Sequence, residues 1–121
     1  MEKTPSEKLT ARIIELLSLD DNTTRFKDAG DEKIVFSYCK NYHITHEEVT
    51  TTTLEEVEEA YQGEFDNMTR FAEQLVDDCG MLSEMPDNLQ MYFDYEKFGR
   101  DLVWSGDYWF DEDNGFVFRS M

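Results

Sequence analysis

Three groups of residues in this 121-residue chain have side chains able to do chemistry. Cys39, His43 and His46 form a C-x3-H-x2-H run, and zinc takes such nitrogen and sulfur donors. The neighbouring sequence supplies no fourth ligand, and Cys79 lies far along the chain. The same Cys and His could serve a thiol nucleophile, but no oxyanion-hole motif accompanies them. A small buried Cys beside surface histidines explains the run better. Asp111-Glu112-Asp113-Asn114-Gly115 has the look of a calcium loop, yet only six residues follow it and none is the distal bidentate Glu. That segment reads as a hairpin turn. The third group is the carboxylates, which are so abundant that no glycosidase-like acid/base pair stands out. The expectation is therefore a protein without catalytic residues, metal ligands or cofactors.

The carboxylates matter as a population. Eleven Lys and Arg against 28 Asp and Glu leave a formal net charge of −17. High charge with few apolar residues favours disorder. Here Leu, Ile, Val and Phe make up 28 of the 121 residues, above the ~20% at which disorder becomes the default. Nine Phe, six Tyr and two Trp add bulk for a core. A folded, strongly acidic domain results. It should repel DNA, RNA and anionic membranes, so direct binding to nucleic acid is not expected. No apolar run approaches the ~20 residues of a membrane span. The first residues carry no secretory h-region; Cys39 and Cys79 could form a disulfide but read better as two buried or partly buried thiols, which fits a cytoplasmic address in a host cell.

The charge is unevenly placed. Residues 1–53 hold 7 basic and 10 acidic side chains, whereas residues 54–121 hold 4 and 18. The acids of the second part are Glu55, Glu56, Glu58, Glu59, Glu64, Asp66, Glu73, Asp77, Asp78, Glu84, Asp87, Asp94, Glu96, Asp101, Asp107, Asp111, Glu112 and Asp113. Some do ordinary work at helix starts, Asp66 and Asp94 as caps and Glu55, Glu56 and Glu96 in first turns. The remainder fall between apolar positions and point outward. They form either a solubilising face or a surface with the charge of a nucleic acid. Duplex DNA carries one charge per ~1.7 Å of axis, so 17 charges correspond to roughly 29 Å of duplex. A domain of this length is roughly 35 Å across, so its charge per length approaches that of DNA.

The elements that must position these acids are mostly helices. Thr4-Pro5-Ser6-Glu7 is a capping start for a helix over 5–19, with Leu9, Ile13, Leu16 and Leu17 on one face. Residues 23–31 read as loop or short helix. Residues 32–42 carry strand-like residue types at helical spacing, and Asp31 as a cap tips them to helix. Thr45–Glu48 is a capping box for a single turn. Residues 50–53 read as extended, with Thr53 capping a helix over 54–62 that Gly63 stops. Asp66 or Asn67 caps a helix through Asp78 with Phe71, Leu75 and Val76 inward, ended by Gly80. A short helix spans 86–92, and Asp94 caps another that runs through about Trp104. Residues 107–111 and 115–119 read as a hairpin, with 115–119 at a sheet edge. The fold class is α+β: small, mostly helical domains with a short C-terminal antiparallel hairpin or sheet. An N-terminal helical or mixed segment covers 1–53, and an acidic helical region ending in the hairpin covers 54–121.

Segments of the second part are similar to the ArdA antirestriction family. They are AYQGEF (60–65), FAEQLVDDCGML (71–82), MPDNLQMYFDYEKFGRDLVWSGDYWF (85–110) and GFVFR (115–119), in the family's order and spacing. The resemblance covers about 54–119, and the stretch from Tyr92 to Asp107 is its most specific part. It implies an inhibitor of Type I restriction-modification enzymes, carried by phages or mobile elements. Such inhibitors are elongated acidic dimers that mimic bent duplex DNA and fill the enzyme's DNA groove. The eighteen acids above would then be the phosphate stand-ins. A CRISPR effector or another DNA-binding defence protein is the alternative target. Another class of reading is an acidic adaptor that binds a partner, or itself, through the aromatic edge at Trp109 and Phe116.

Overall fold

The computed structural model describes residues 3–27 and 30–120. The order of elements is α1 (Pro5–Leu17), α2 (Asp31–Asn41), α3 (Thr51–Ala60), β1 (Tyr61–Glu64), α4 (Met68–Cys79), α5 (Asp87–Gln90), α6 (Tyr95–Trp104), β2 (Tyr108–Asp111) and β3 (Phe116–Arg119). This is an α+β architecture. The chain divides into two compact units, Met1–Tyr61 and Gln62–Met121.

The first unit packs α1, α2 and α3 against one another. Thr4 caps α1 by accepting a hydrogen bond from the Glu7 amide, and Pro5 opens the helix with its φ already suitable. Leu9, Ile13 and Leu16 turn inward from α1 to meet Val35, Tyr38 and Cys39 of α2 and Leu54, Val57 and Ala60 of α3. The helix stops at Leu17 rather than 19, because Ser18 donates its hydroxyl to the Glu15 carbonyl and closes the last turn. Helix α2 confirms the helical spacing of 32–42. Its cap is Gly30, at φ 112°, and Asp31 is its first residue. Between these helices Asn22 is buried and organises the loop. Its amide donates to the carbonyls of Leu17 and Phe26, and its carbonyl accepts from the amide and hydroxyl of Thr24. Part of the 23–31 loop, residues 28 and 29, lies outside the described residues.

Helix α3 starts earlier than its sequence indicates. Thr50 is the cap and Thr53 is already in the first turn, the two forming a reciprocal capping box. Thr53 therefore does not cap the helix. The helix also ends sooner, at Ala60, and the chain passes directly into β1. Gly63 lies within that strand and not at a helix stop.

The second unit packs α4 against α6 and carries a three-stranded sheet in the order β1-β3-β2. Asn67 caps α4 through the Arg70 amide, and Gly80 closes it in the left-handed region at φ 62°. Asp94 caps α6 by accepting from the Lys97 amide. Gly99 is the one buried residue of α6. A Cβ there would lie 2.7 Å from the Met68 carbonyl oxygen, so glycine permits the helix to close on the start of α4. The expected helix over 86–92 is a single turn, α5. Strands β2 and β3 are antiparallel with Trp109 opposite Phe118 and Phe110 opposite Val117. The segment 115–119, expected at an edge, instead contains the central strand, which is why Phe116, Val117 and Phe118 are buried. Trp109 stacks on Phe118 with ring centroids 4.2 Å apart, and Phe71 sits between Phe65 and Tyr108 at 5.2 and 5.0 Å.

Candidate functional site

The chemistry-bearing residues sort cleanly once placed. Cys39 is fully buried, and burial pushes its thiol up to about 12, so it is protonated at neutral pH. A thiolate, which a nucleophile or zinc ligand must be, is disfavoured there. Cys79 is exposed and both cysteines are free. Among the described residues no three His, Cys, Asp or Glu side chains are grouped to hold a metal ion. The segment 111–115 is a turn. Asp111 accepts from the Asp113 amide through one carboxylate oxygen and from the Asn114 side chain through the other, and its carbonyl accepts from Gly115. Gly115 is required at φ 79°, where a Cβ would lie 2.6 Å from the Phe65 carbonyl oxygen.

Of the eighteen acids, fifteen are exposed and only Glu58, Glu73 and Asp111 are half-buried. Six of them have roles within the chain. Besides Asp111 and the cap Asp94, Glu58 accepts from the Arg25 amide and ties the 22–27 loop to α3. Glu73 pairs with Arg70 at 3.2 Å. Asp78 accepts from Gln74, and Asp107 from the Ser105 hydroxyl. The other twelve are Glu55, Glu56, Glu59, Glu64, Asp66, Asp77, Glu84, Asp87, Glu96, Asp101, Glu112 and Asp113. All twelve are exposed, and none has a side-chain hydrogen bond or ion pair among the described residues.

Each compact unit holds part of this set. In the first, α3 buries Leu54, Val57 and Ala60 and so turns Glu55, Glu56 and Glu59 outward. In the second, the remaining nine are spread over β1, α4, α5, α6, the loops between them and the hairpin turn. Four basic residues accompany them from Gln62 onward: Arg70, Lys97, Arg100 and Arg119. Arg70 is engaged by Glu73, and the Arg100 guanidinium lies over the Trp104 ring at 5.9 Å. Glu7, Asp20 and Asp21, outside the eighteen, are equally exposed and unpartnered among the described residues. They were hidden because their half of the sequence is nearly balanced by its lysines and arginines.

The profile of the antirestriction protein (ArdA) family matches residues 7–118. The chain belongs to the ArdA family. The match begins well before the motifs of 54–119 and takes in α1 and α2. ArdA is a family of antirestriction proteins, an inhibitor family and not an enzymatic one. No curated protein and no solved structure matches the chain. Among the described residues no helix of this ArdA family member is long and apolar enough to cross a membrane.

Proposed function

We propose that this protein is a non-enzymatic DNA mimic, which blocks a Type I restriction-modification enzyme by occupying its DNA-binding groove. The observation that carries the reading is the set of twelve exposed carboxylates without a side-chain hydrogen bond or ion pair among the described residues. A carboxylate engaged within the chain keeps its charge but offers fewer free oxygen lone pairs to a groove; these twelve offer both charge and free acceptors. Helix α3 supports the charge density required. Glu55 to Glu59 spans about 6 Å of helix rise and bears three available carboxylates, Glu55, Glu56 and Glu59, and ~6 Å of duplex bears between three and four phosphates. Expulsion of counterions from the groove and electrostatic steering would supply affinity and on-rate.

Self-association belongs to the same reading. The second unit exposes Met81, Met85, Leu89, Met91, Tyr92 and Trp104, an unusual load of large apolar side chains for a lone acidic domain. These favour a homodimer. The aromatic edge at Trp109 and Phe116 supports an adaptor less well, since Phe116 is buried and Trp109 is stacked on Phe118.

Competition tests the proposal. A Type I methyltransferase core is loaded with labelled duplex DNA, and release is followed on adding the protein across a salt series. Displacement that weakens steeply with salt is expected. A folded protein that leaves the DNA in place at low salt refutes this target. A CRISPR effector assayed in the same format then decides whether mimicry is aimed elsewhere.

A further inference from the structure

Within the first unit lies a cavity of about 690 Å³ that the acidic surface does not use. Its walls come from the start of α1, the end of α2 and the 43–47 loop. Leu9, Phe36, Cys39 and Ile44 give it an apolar lining. Its size and character fall in the range of small-molecule sites.

The charged residues around it run against the composition of the chain. Lys8, Lys40, His43 and His46 all line the cavity, in a protein with 28 acids to 11 Lys and Arg. Lys8 and Lys40 are exposed and have no ion pair among the described residues. Glu47 is the single acid of the lining, exposed, with a carboxylate oxygen 3.7 Å from His46 Nε2, an ion pair only when the imidazole is protonated. Pro5 and Ser6 also line the cavity, which brings the positive end of the α1 dipole to it. The opposing end of α2 is closed internally. The Ile44 amide donates to the Cys39 carbonyl at 2.8 Å and the His43 amide to that of Lys40.

That closure is a Schellman motif with His43 at the left-handed position, φ 56°, where glycine is usual. His43 is the one non-glycine residue with positive φ among those described. His43 thus presents a side chain at a position where glycine is usual, and that side chain lines the cavity.

We infer that this cavity binds a small amphipathic anion: an apolar body against Leu9, Phe36 and Ile44, with a carboxylate held by Lys8, Lys40 and His43. The net charge of −17 opposes anions at long range. At physiological salt that field is screened within ~8 Å, so the lysines beside the cavity dominate.

The test uses octanoate as the probe on the full chain, followed by amide chemical shifts in 0.15 M salt. Octanol and octyltrimethylammonium share the apolar body and lack the negative charge. Saturable octanoate shifts confined to residues 5–9 and 36–47 are expected, with far weaker binding of the other two. Lys8→Gln with Lys40→Gln should weaken octanoate about fivefold to tenfold, as the loss of two exposed ion pairs would. His43→Gly should weaken it while leaving the melting temperature unchanged or raised, since glycine suits φ 56°. Equal affinity for octanoate and octanol, no saturation, or an octanoate affinity untouched by the lysine substitutions would overturn the inference.

Discussion

Replacing Glu55, Glu56 and Glu59 of α3 together by Gln removes three charges and almost nothing else. All three are exposed and have no side-chain hydrogen bond or ion pair among the described residues, and Glu and Gln have nearly equal helix propensity. The Glu55–Glu59 pair is an i,i+4 repulsion whose relief stabilises the helix by about 0.2–0.5 kcal/mol. The melting temperature should therefore stay level or rise. If the three stand in for phosphates, each loses one partly solvated contact worth about 0.2–1 kcal/mol. Together that is about 0.6–3 kcal/mol, or roughly 3- to 150-fold weaker inhibition. Salt dependence gives a second, independent number. Each phosphate equivalent contributes up to ~0.9 to the slope of log K against log salt, so the triple variant loses at most ~2.7. Between about 50 and about 200 mM salt, this makes the variant up to ~40-fold less salt-sensitive than the parent. The assay is displacement of labelled duplex from the methyltransferase core at several salt concentrations, beside a thermal melt. Unchanged inhibition with an unchanged slope would remove α3 from the interface. Complete loss from any one of the three substitutions, with the fold intact, would refute distributed mimicry, because no single charge should carry so much.

Cys39 makes stability depend on alkaline pH. Its thiol is raised from 9.0 to about 12 by burial, so the unfolded chain releases the proton first and stability falls as pH rises above 9. The loss reaches about 2 kcal/mol near pH 10.5, and Cys39→Ala should flatten that part of a urea-unfolding series against pH. Tyr38, raised to about 12 by burial and then by Glu56, adds a smaller loss of the same sign above pH 10 and should persist in the variant. Gly99→Ala puts a methyl 2.7 Å from the Met68 carbonyl oxygen and should destabilise by about 1–3 kcal/mol, read as a lower melting temperature. Met91→Ser with Tyr92→Ser removes two of the most exposed apolar side chains, at 76% and 79%. It should shift sedimentation toward monomer while leaving the helical circular dichroism signal intact; an unchanged distribution would refute self-association through this patch.

Helices were legible where local chemistry specifies both ends. The caps Thr4, Asn67 and Asp94, the proline at the start of α1 and Gly80 after α4 all do in the structure what their types indicate. Reading failed where long-range pairing competes. Tyr61–Glu64 has Gly63 at its centre and looks like a helix end, yet it pairs as β1 beside β3. The segment 115–119 looks like half of an isolated hairpin, and only the arrival of β1 makes β3 central. Thr50 and Thr53 are chemically the same residue, so which one caps was undecidable until α3 was packed.

The sequence by itself determined the sign and amount of charge, the surplus of acids after Leu54, the helical spacing and the family. These are properties of residue types and local order, which need no partner distant in the chain. Tertiary structure decided which carboxylates remain available. Glu58, Glu73, Asp78, Asp94, Asp107 and Asp111 are engaged within the chain, while the other twelve stay exposed and unpartnered among the described residues. It also gathered Lys8, Lys40 and His43 around one apolar cavity, although Lys8 lies on α1, Lys40 on α2 and His43 in the loop after α2. Both outcomes depend on distances through space, and a composition holds none.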